Sequence, residues 1–389
     1  MIARENRLCI YTVKKVLEVN KKKYTYGGFG DYLTYMAKSF KSVNLVSQVK
    51  KANEVPQGWY EIKESNIDYI WLPHMKTELD VWINMIPNFL RCYKAAYDCD
   101  LVHARMPDWT GILGAISANL RNKKCFISII ADWKIEAERT SIFKKFGLGL
   151  PLKIHYYFYD FWERMLSRKK LVFAQGLTPY LKHKNSSKCF FVYSSAHYKK
   201  DILLEKRKKT FTKKILTVGR LTGIKNQSIL IKSLQHLNTI DNGWTLEIVG
   251  SGPKLSDLKD EAIKSGVHEN ITFHGMVSKG EKLWSIYDNN DLFILPSLSE
   301  GTPKVILEAM ARGLIVMSSN IENLAHTLNN DSALLFDCNN HIDIANKIVN
   351  IAKHPNRFSD YEHKNISFSK KTTVEAQNMF LISKVEELM

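Results

Sequence analysis

Thirteen short runs rich in β-branched, aromatic and aliphatic residues recur along this chain, and helix-period segments separate them. Seven lie in the first half: LCIYTV, VNLVSQV, IDYIWL, DLVHA, CFISII, LVFAQ and CFFVYS. Six lie in the second: KILTVG, TLEIVG, ITFHG, DLFILP, LIVMSS and ALLFD. Strands that are apolar on both faces must be covered on both, so this alternation predicts parallel sheets layered with helices. Two such series in 389 residues predict an α/β chain of two Rossmann-like domains facing across a cleft.

The boundary falls near AHYKKDILLEKRKKTFTKK, residues 196–214. From Glu205 to Lys214 this stretch carries six basic residues and one acid, with little to bury. The predicted organisation is an N-terminal domain over 1–197, a linker over 198–213 and a C-terminal domain over 214–370. A last helix over 371–389, apolar at Val374, Met379, Phe380 and Ile382, is expected to pack back on the N-terminal domain.

The stretch SEGTPKVILEAMARG, Ser299 to Gly313, follows the strand DLFILP. Thr302 and Pro303 read as an N-cap and a first helical residue, and Gly313 as a left-handed C-terminal stop. The loop lies at the carboxyl end of a parallel strand, where open α/β sheets bind ligands, and the helix tip suits phosphate. Glu300 and Glu308 would repel a phosphate; they suit hydroxyl groups, which donate to carboxylates.

This stretch is similar to the E-x7-E motif of the family 4 retaining glycosyltransferases, and the resemblance extends over about 212–340. ILTVGRLTGIKNQSILIKSL looks like that family's G-R-L…K segment, and LEIVGSGP and ITFHGMV match its next two strand-to-loop joints. TYGGFGDYLTYMAKSF and DLVHARMP match more loosely in the first half. The resemblance implies the GT-B fold and transfer of a sugar from a UDP- or GDP-linked donor, with retention, as in bacterial surface-polysaccharide synthesis.

Residue by residue, it implies that Glu300 binds donor-sugar hydroxyls with help from backbone N–H groups around Gly301 and Thr302, with Pro303 also in the donor site. Glu308 would bind the ribose, and Arg220 and Lys225 would neutralise the diphosphate. Gly219, Gly250, Gly275, Met276 and Val277 would line the donor site, and Gly27 and Gly28 would form an N-terminal loop near the phosphates. Where many members have a histidine after the fifth strand, this chain offers Asp132, a candidate beside the reacting centre. His103, one strand earlier, reads as structural. After LIVMSS the chain departs from the family's Gly-Gly pair and reads NIENLAHTL, with Glu322, Asn323 and His326.

No metal and no cofactor are expected. Asp98-Cys99-Asp100 imitates the metal-binding D-x-D of the other major glycosyltransferase fold, but Asp100 enters a strand instead of following one. Arg220 and Lys225 can carry the phosphate charge. The six cysteines form no C-x-x-C pair and read as reduced thiols of a cytoplasmic protein.

The excess of 56 Lys+Arg over 39 Asp+Glu, net +17, calls for an anionic partner. No nucleic-acid recognition module accompanies it, so nucleic acid is not the expected partner. No run of about 18 apolar residues is present to span a bilayer. From Phe143 to Lys170, however, seven Lys/Arg mingle with eight aromatic residues. Ile154, Tyr157, Phe158, Phe161, Trp162 and Met165 follow helical spacing there. That face is read as packing into the core, whereas IFKKFGLGLPLK suggests contact with anionic headgroups on the inner face of the membrane. A lipid-diphosphate-linked or free saccharide is the expected acceptor. The alternatives are a nucleotide-sugar epimerase on the same fold and a non-catalytic nucleotide-sugar or nucleic-acid binder.

Overall fold

The computed structural model describes residues 2–56, 58–73, 80, 83–132, 149–193, 198–205, 211–301, 303–322, 324, 328, 333–354 and 356–389; the side chains of 2, 149–156 and 356–359 are left out of the description. Thr302, Asn323 and His326 lie outside these residues, as does most of IFKKFGLGLPLK. All thirteen predicted runs form strands. The chain divides into two units, Met1–His197 with Val374–Met389, and Tyr198–Thr373.

In the first unit the elements are β1 (Arg7–Tyr11), β2 (Val16–Val19), β3 (Lys22–Tyr26), α1 (Phe29–Ser39), β4 (Ser42–Lys51), β5 (Trp59–Glu61) and β6 (Ile67–Leu72). They continue with α2 (Met85–Ala95), β7 (Leu101–Met106), α3 (Trp109–Leu120), β8 (Lys124–Ile129) and α4 (Gly149–Ser167). The series closes with β9 (Leu171–Gln175), α5 (Leu177–His183) and β10 (Lys188–Val192). The central strands run parallel in the order β6-β4-β1-β7-β8-β9-β10. Chain order therefore reverses between β1 and β7, the switch point at which such sheets bind ligands.

Three strands escape the sequence pattern. β2 and β3 form an antiparallel ribbon, β3 pairs with β5, and β2 joins β4 beyond its contact with β6. They are short and charged, so no apolar run marks them. Their local cue is the turn Asn20-Lys21, with both residues at positive φ (49° and 64°), the geometry of a two-residue hairpin loop.

Helix α4 corrects the predicted packing face. Tyr159, Glu163, Leu166 and Ser167 are buried, whereas Tyr157, Phe161 and Met165 are 65%, 59% and 45% exposed. The reason is polar: Lys182 of α5 pairs with Glu163 at 2.6 Å and with Asp160, and His183 meets Glu163 at 3.0 Å. A buried charge cluster, which no hydrophobic pattern records, thus seats the helix.

His103 is fully buried, between the Tyr32 hydroxyl on Nδ1 and Ser128 Oγ at 2.7 Å from Nε2. Burial, helped by Arg105, lowers its pKa well below the ordinary value, so the neutral ring serves as a core bridge. Asp100 accepts from the Arg7 amide at 2.8 Å, which ties the start of β7 to β1.

The second unit contains β11 (Lys214–Val218), α6 (Ser228–Ile240), β12 (Thr245–Val249), α7 (Leu255–Lys264), β13 (Ile271–Gly275) and α8 (Glu281–Asp288). It continues with β14 (Leu292–Leu295), α9 (Lys304–Ala311), β15 (Ile315–Ser319), β16 (Leu334–Phe336), α10 (His341–Ala352) and α11 (Asn356–Lys371). All its strand pairs are parallel, in the order β13-β12-β11-β14-β15-β16, with the switch point between β11 and β14.

Residues 198–205, read from sequence as linker, are tied to this unit. The Tyr198 hydroxyl bonds Thr372 Oγ1 at 2.6 Å, and the Leu204 amide donates to Ala311 at 3.2 Å. The apolar Tyr198 and Ile202 anchor an otherwise charged stretch. The last helix, α12 (Val374–Glu386), starts later than predicted and packs in the first unit. Leu381 and Val385 share a core with Leu8, Ile10 and Leu33, and Gln377 Oε1 accepts from the Tyr193 amide at 2.9 Å.

Candidate active site

The site in the second unit grows from three strand ends laced together by backbone. Gly219 N–H donates to Val249 at 2.9 Å, Gly250 N–H to Gly275 at 2.8 Å, and Leu221 N–H to Ser251 at 3.0 Å. Gly250 has φ +142°, and a Cβ there would fall 1.9 Å from the Gly219 carbonyl oxygen. Any side chain at 250 would separate two strands, so glycine is dictated by contact as well as by torsion. The pocket of about 390 Å³ above this floor is lined by Val218, Gly219 and Arg220 at the end of β11, Val249 to Gly252 at the end of β12, and Met276 and Val277 after β13.

Arg220 is exposed at the pocket's edge, and its carbonyl accepts from Gln227 Nε2 at 3.2 Å. Downstream, Gly223–Lys225 forms a single 3-10 turn, and Asn226 follows at φ 52° with Nδ2 bonded to the Cys338 carbonyl at 2.9 Å. The Leu298 amide donates to Ile224 at 2.8 Å, binding the loop after β14 to this turn. That bond brings Lys225 Nζ onto Glu300 Oε1 as an ion pair across the switch point, with the two side chains 26% and 9% exposed.

Helix α9 begins at Lys304 with Pro303 at its N-cap, φ −75° and ψ 109°, one residue later than predicted. An extended ψ at Pro303 holds it outside the first turn. At the other end Gly313 is left-handed, φ 68°, and donates to Met310 at 2.9 Å while Leu314 donates to Ala309 at 3.0 Å. Glu308 is turned inward and 6% exposed, accepting from the Tyr287 hydroxyl at 3.1 Å, with Lys279 Nζ 3.9 Å away. Burial, then the Glu308 charge, pushes the Tyr287 phenol well above its ordinary pKa, so it remains a donor.

The structure thus gathers Gly219, Arg220, Gly250, Met276 and Val277 around one pocket, with Gly275 bonded into its floor. It joins Lys225 to Glu300 and places Glu308 with Tyr287 and Lys279, two neighbours the sequence reading missed. Gly301 is exposed beside Glu300. Gly27, with φ 61°, Gly28 at the N-cap of α1 and Asp132 just beyond β8 belong to the first unit. Among the described residues no group of three or more His, Cys, Asp and Glu converges on a metal position.

Two Rossmann-like domains of the GT-B kind, with a glycine-floored pocket at the carboxyl ends of β11, β12 and β13, define the class of architecture. The fold matches HepE from Anabaena, solved in complex with UDP, with TM-score 0.67 and 13% identity over 98% of this chain and 99% of that one. Residues 199–367 match the family Glycosyl transferases group 1. An uncharacterized glycosyltransferase of Haemophilus influenzae is 35% identical over 120 residues, 30% of this chain and 33% of that protein. A Campylobacter jejuni protein, GalNAc-alpha-(1->4)-GalNAc-alpha-(1->3)-diNAcBac-PP-undecaprenol alpha-1,4-N-acetyl-D-galactosaminyltransferase, is 28% identical over 137 residues, 34% of this chain and 37% of that protein. These sequence matches therefore span about a third of the relatives' own lengths.

Proposed function

We propose that the protein is a retaining, metal-independent glycosyltransferase of the E-x7-E family, moving a sugar from a UDP- or GDP-linked donor to a saccharide or lipid-diphosphate-linked saccharide in cell-surface polysaccharide synthesis. The observation that carries this reading is the Lys225–Glu300 pair across the β11/β14 switch point, in the same unit as the pocket that Arg220 lines. Arg220 and Lys225 neutralise the diphosphate as it leaves, and Glu300 takes sugar hydroxyls. Glu308, held by Tyr287, receives the ribose. Gly301 and Thr302 offer backbone N–H groups to the donor, with Pro303 next to them in the chain, and Gly27 and Gly28 of the first unit keep the phosphate role that the resemblance implies. Asp132 keeps the candidate role that the resemblance gives it. Attack comes from the front face, with the departing phosphate taking the acceptor proton, so positioning and charge stabilisation supply the rate. HepE's UDP and the undecaprenyl-diphosphate acceptor in the Campylobacter name support the two substrate classes.

The test is a thermal-shift panel of UDP- and GDP-sugars, with product analysis for the one that binds. At 100 times its Kd a donor stabilises by about 2.7 kcal/mol, a resolvable rise in melting temperature. Transfer of the sugar to an added saccharide is the expected outcome. A changed sugar without transfer indicates an epimerase, and no response to any nucleotide sugar refutes the donor site.

The same reading places the protein on the inner, cytoplasmic membrane face, through the outer face of α4. No helix of the described residues is long and apolar enough to cross a membrane. Tyr157, Phe161 and Met165 are exposed, with the exposed Arg164, Arg168 and Lys169 beside them. Aromatic groups mixed with cations suit the headgroup boundary of an anionic bilayer. In flotation assays at low salt, vesicles containing an anionic lipid should carry the protein, and Phe161→Ser should weaken that binding several-fold, as loss of one buried aromatic implies. No flotation at low salt removes the membrane partner.

A further inference from the structure

Strands β2, β3 and β5 build a basic ribbon at one margin of the first sheet. Residues 12–26 contain five lysines and a single acid, Glu18. Lys50 and Lys51, at the end of β4, pair with Leu17 and Glu18 of β2 and add two more cations. In the order β1-β4-β2-β3-β5, the usual strand spacing sets β3 about 14 Å and β5 about 19 Å to the side of β1. The ribbon therefore stands apart from the switch point between β1 and β7.

Strand alternation gives the ribbon two unlike sides. Val16, Glu18, Lys23, Thr25 and Tyr60 share one of them. That side is spent within the unit. Val16 and Thr25 are buried, Lys23 pairs with Glu18 and lies 5.4 Å from the Trp71 ring, and the Tyr60 hydroxyl takes the Gly30 N–H at 3.0 Å. On the other side the register sets Tyr26 opposite Trp59 and Tyr24 opposite Glu61. The Tyr26 and Trp59 rings lie 4.8 Å apart with a tilt of 46°, and Lys14 Nζ stands 5.5 Å from the Tyr26 centroid. Burial falls across this side, from Leu17 at 3% exposed on β2 to Tyr26 at 42% on β3. Lys22 meets Glu61 at 3.3 Å in an exposed pair, which is weak in water and exchanges partners readily.

Open aromatic rings among lysines fit a ligand that has both apolar C–H faces and negative charge. A pyranose offers such faces to a ring, and an acidic substituent on it supplies the anion. Glu61 can accept sugar hydroxyls, whereas the closely spaced phosphates of a nucleic acid would be repelled by it. A bilayer calls for exposed aliphatic groups, but the exposed residues of 16–26 are Asn20, Lys21, Lys22 and Tyr26. We propose that the Tyr26–Trp59 side of the ribbon holds the body of an acidic polysaccharide, separately from the groups that carry out transfer. Binding there rests on the ribbon alone; that the polymer is one the protein extends rests on the transferase reading above. A chain tethered at this side keeps its growing end at a raised effective concentration between additions.

Calorimetric titration of the full chain with polygalacturonate oligomers, and separately with hyaluronan oligomers, tests the surface, with maltoheptaose as the neutral control. At least one acidic oligomer should bind about tenfold or more tightly than maltoheptaose, and the preference should shrink as salt rises. Tyr26→Ser combined with Lys14→Gln should weaken that binding by about tenfold or more, the scale of losing a ring and the cation over it. If that variant does not fold, Lys21→Glu with Lys22→Glu, at two exposed positions, should weaken it likewise. No binding of either acidic oligomer overturns the proposal, and so does equal affinity in the unmutated and variant proteins. Anionic vesicles and single-stranded DNA are titrated in parallel. Should the substitutions abolish binding to one of these and leave the oligomers unaffected, the ribbon belongs to a membrane or a nucleic acid and the proposal fails. Donor binding in the nucleotide-sugar panel is read independently, so loss of one reading is distinguishable from loss of the other.

Discussion

Alanine at position 220 is expected to lower kcat/KM for sugar transfer at least about 10²-fold, the cost of removing a principal donor to a developing charge. The melting temperature should stay unchanged, because Arg220 is exposed and its carbonyl, the group that Gln227 bonds, survives the substitution. The measurement is steady-state kinetics with whichever nucleotide sugar the panel identifies, alongside a melting curve. Turnover close to that of the unmutated protein would assign the diphosphate to other groups. Lys225 is a less clean target. Its removal takes the ion pair from Glu300, whose side chain is 9% exposed, and so mixes a lost ligand contact with a disturbed, largely buried carboxylate.

Trp244→Ala should destabilise the second unit by roughly 3–5 kcal/mol. Trp244 is fully buried, meets Phe211 edge-on at 5.6 Å and donates from Nε1 to Asp241 at 3.1 Å. Cutting it to a methyl group leaves a cavity beneath β11 and β12, while Asp241 retains Lys213 as a partner. Differential scanning calorimetry should show that unit's transition lowered by about 2–4 °C for each kcal/mol. A loss below about 1 kcal/mol would mean that the surrounding side chains collapse into the space.

The strand frame was legible because continuous apolar runs have few other uses. So was the stop of α9, since Gly313 sits where only a left-handed residue closes the last turn. The site was legible only in part. The sequence placed Lys225 and Glu300 in the loops after two different strands, but their pairing depends on the adjacency of those strands and on the Leu298–Ile224 backbone bond, which has no sequence trace. Tyr287 and Lys279 reach Glu308 from α8 and the loop before it, a tertiary approach that local patterning does not encode. The face of α4 was read only in part: Trp162 packs on the core as expected, but Glu163 and Lys182 look like solvent residues until they are seen to face one another.

Helix α12 belongs to the unit that the chain begins, with Leu381 and Val385 in the core around Leu8 and Ile10. During synthesis, therefore, the later-made domain can reach its native state while the earlier one still waits for a missing wall. The emerging first domain must keep that gap sheltered from neighbouring chains until Val374–Met389 has left the ribosome, which reverses the usual order in which domains mature.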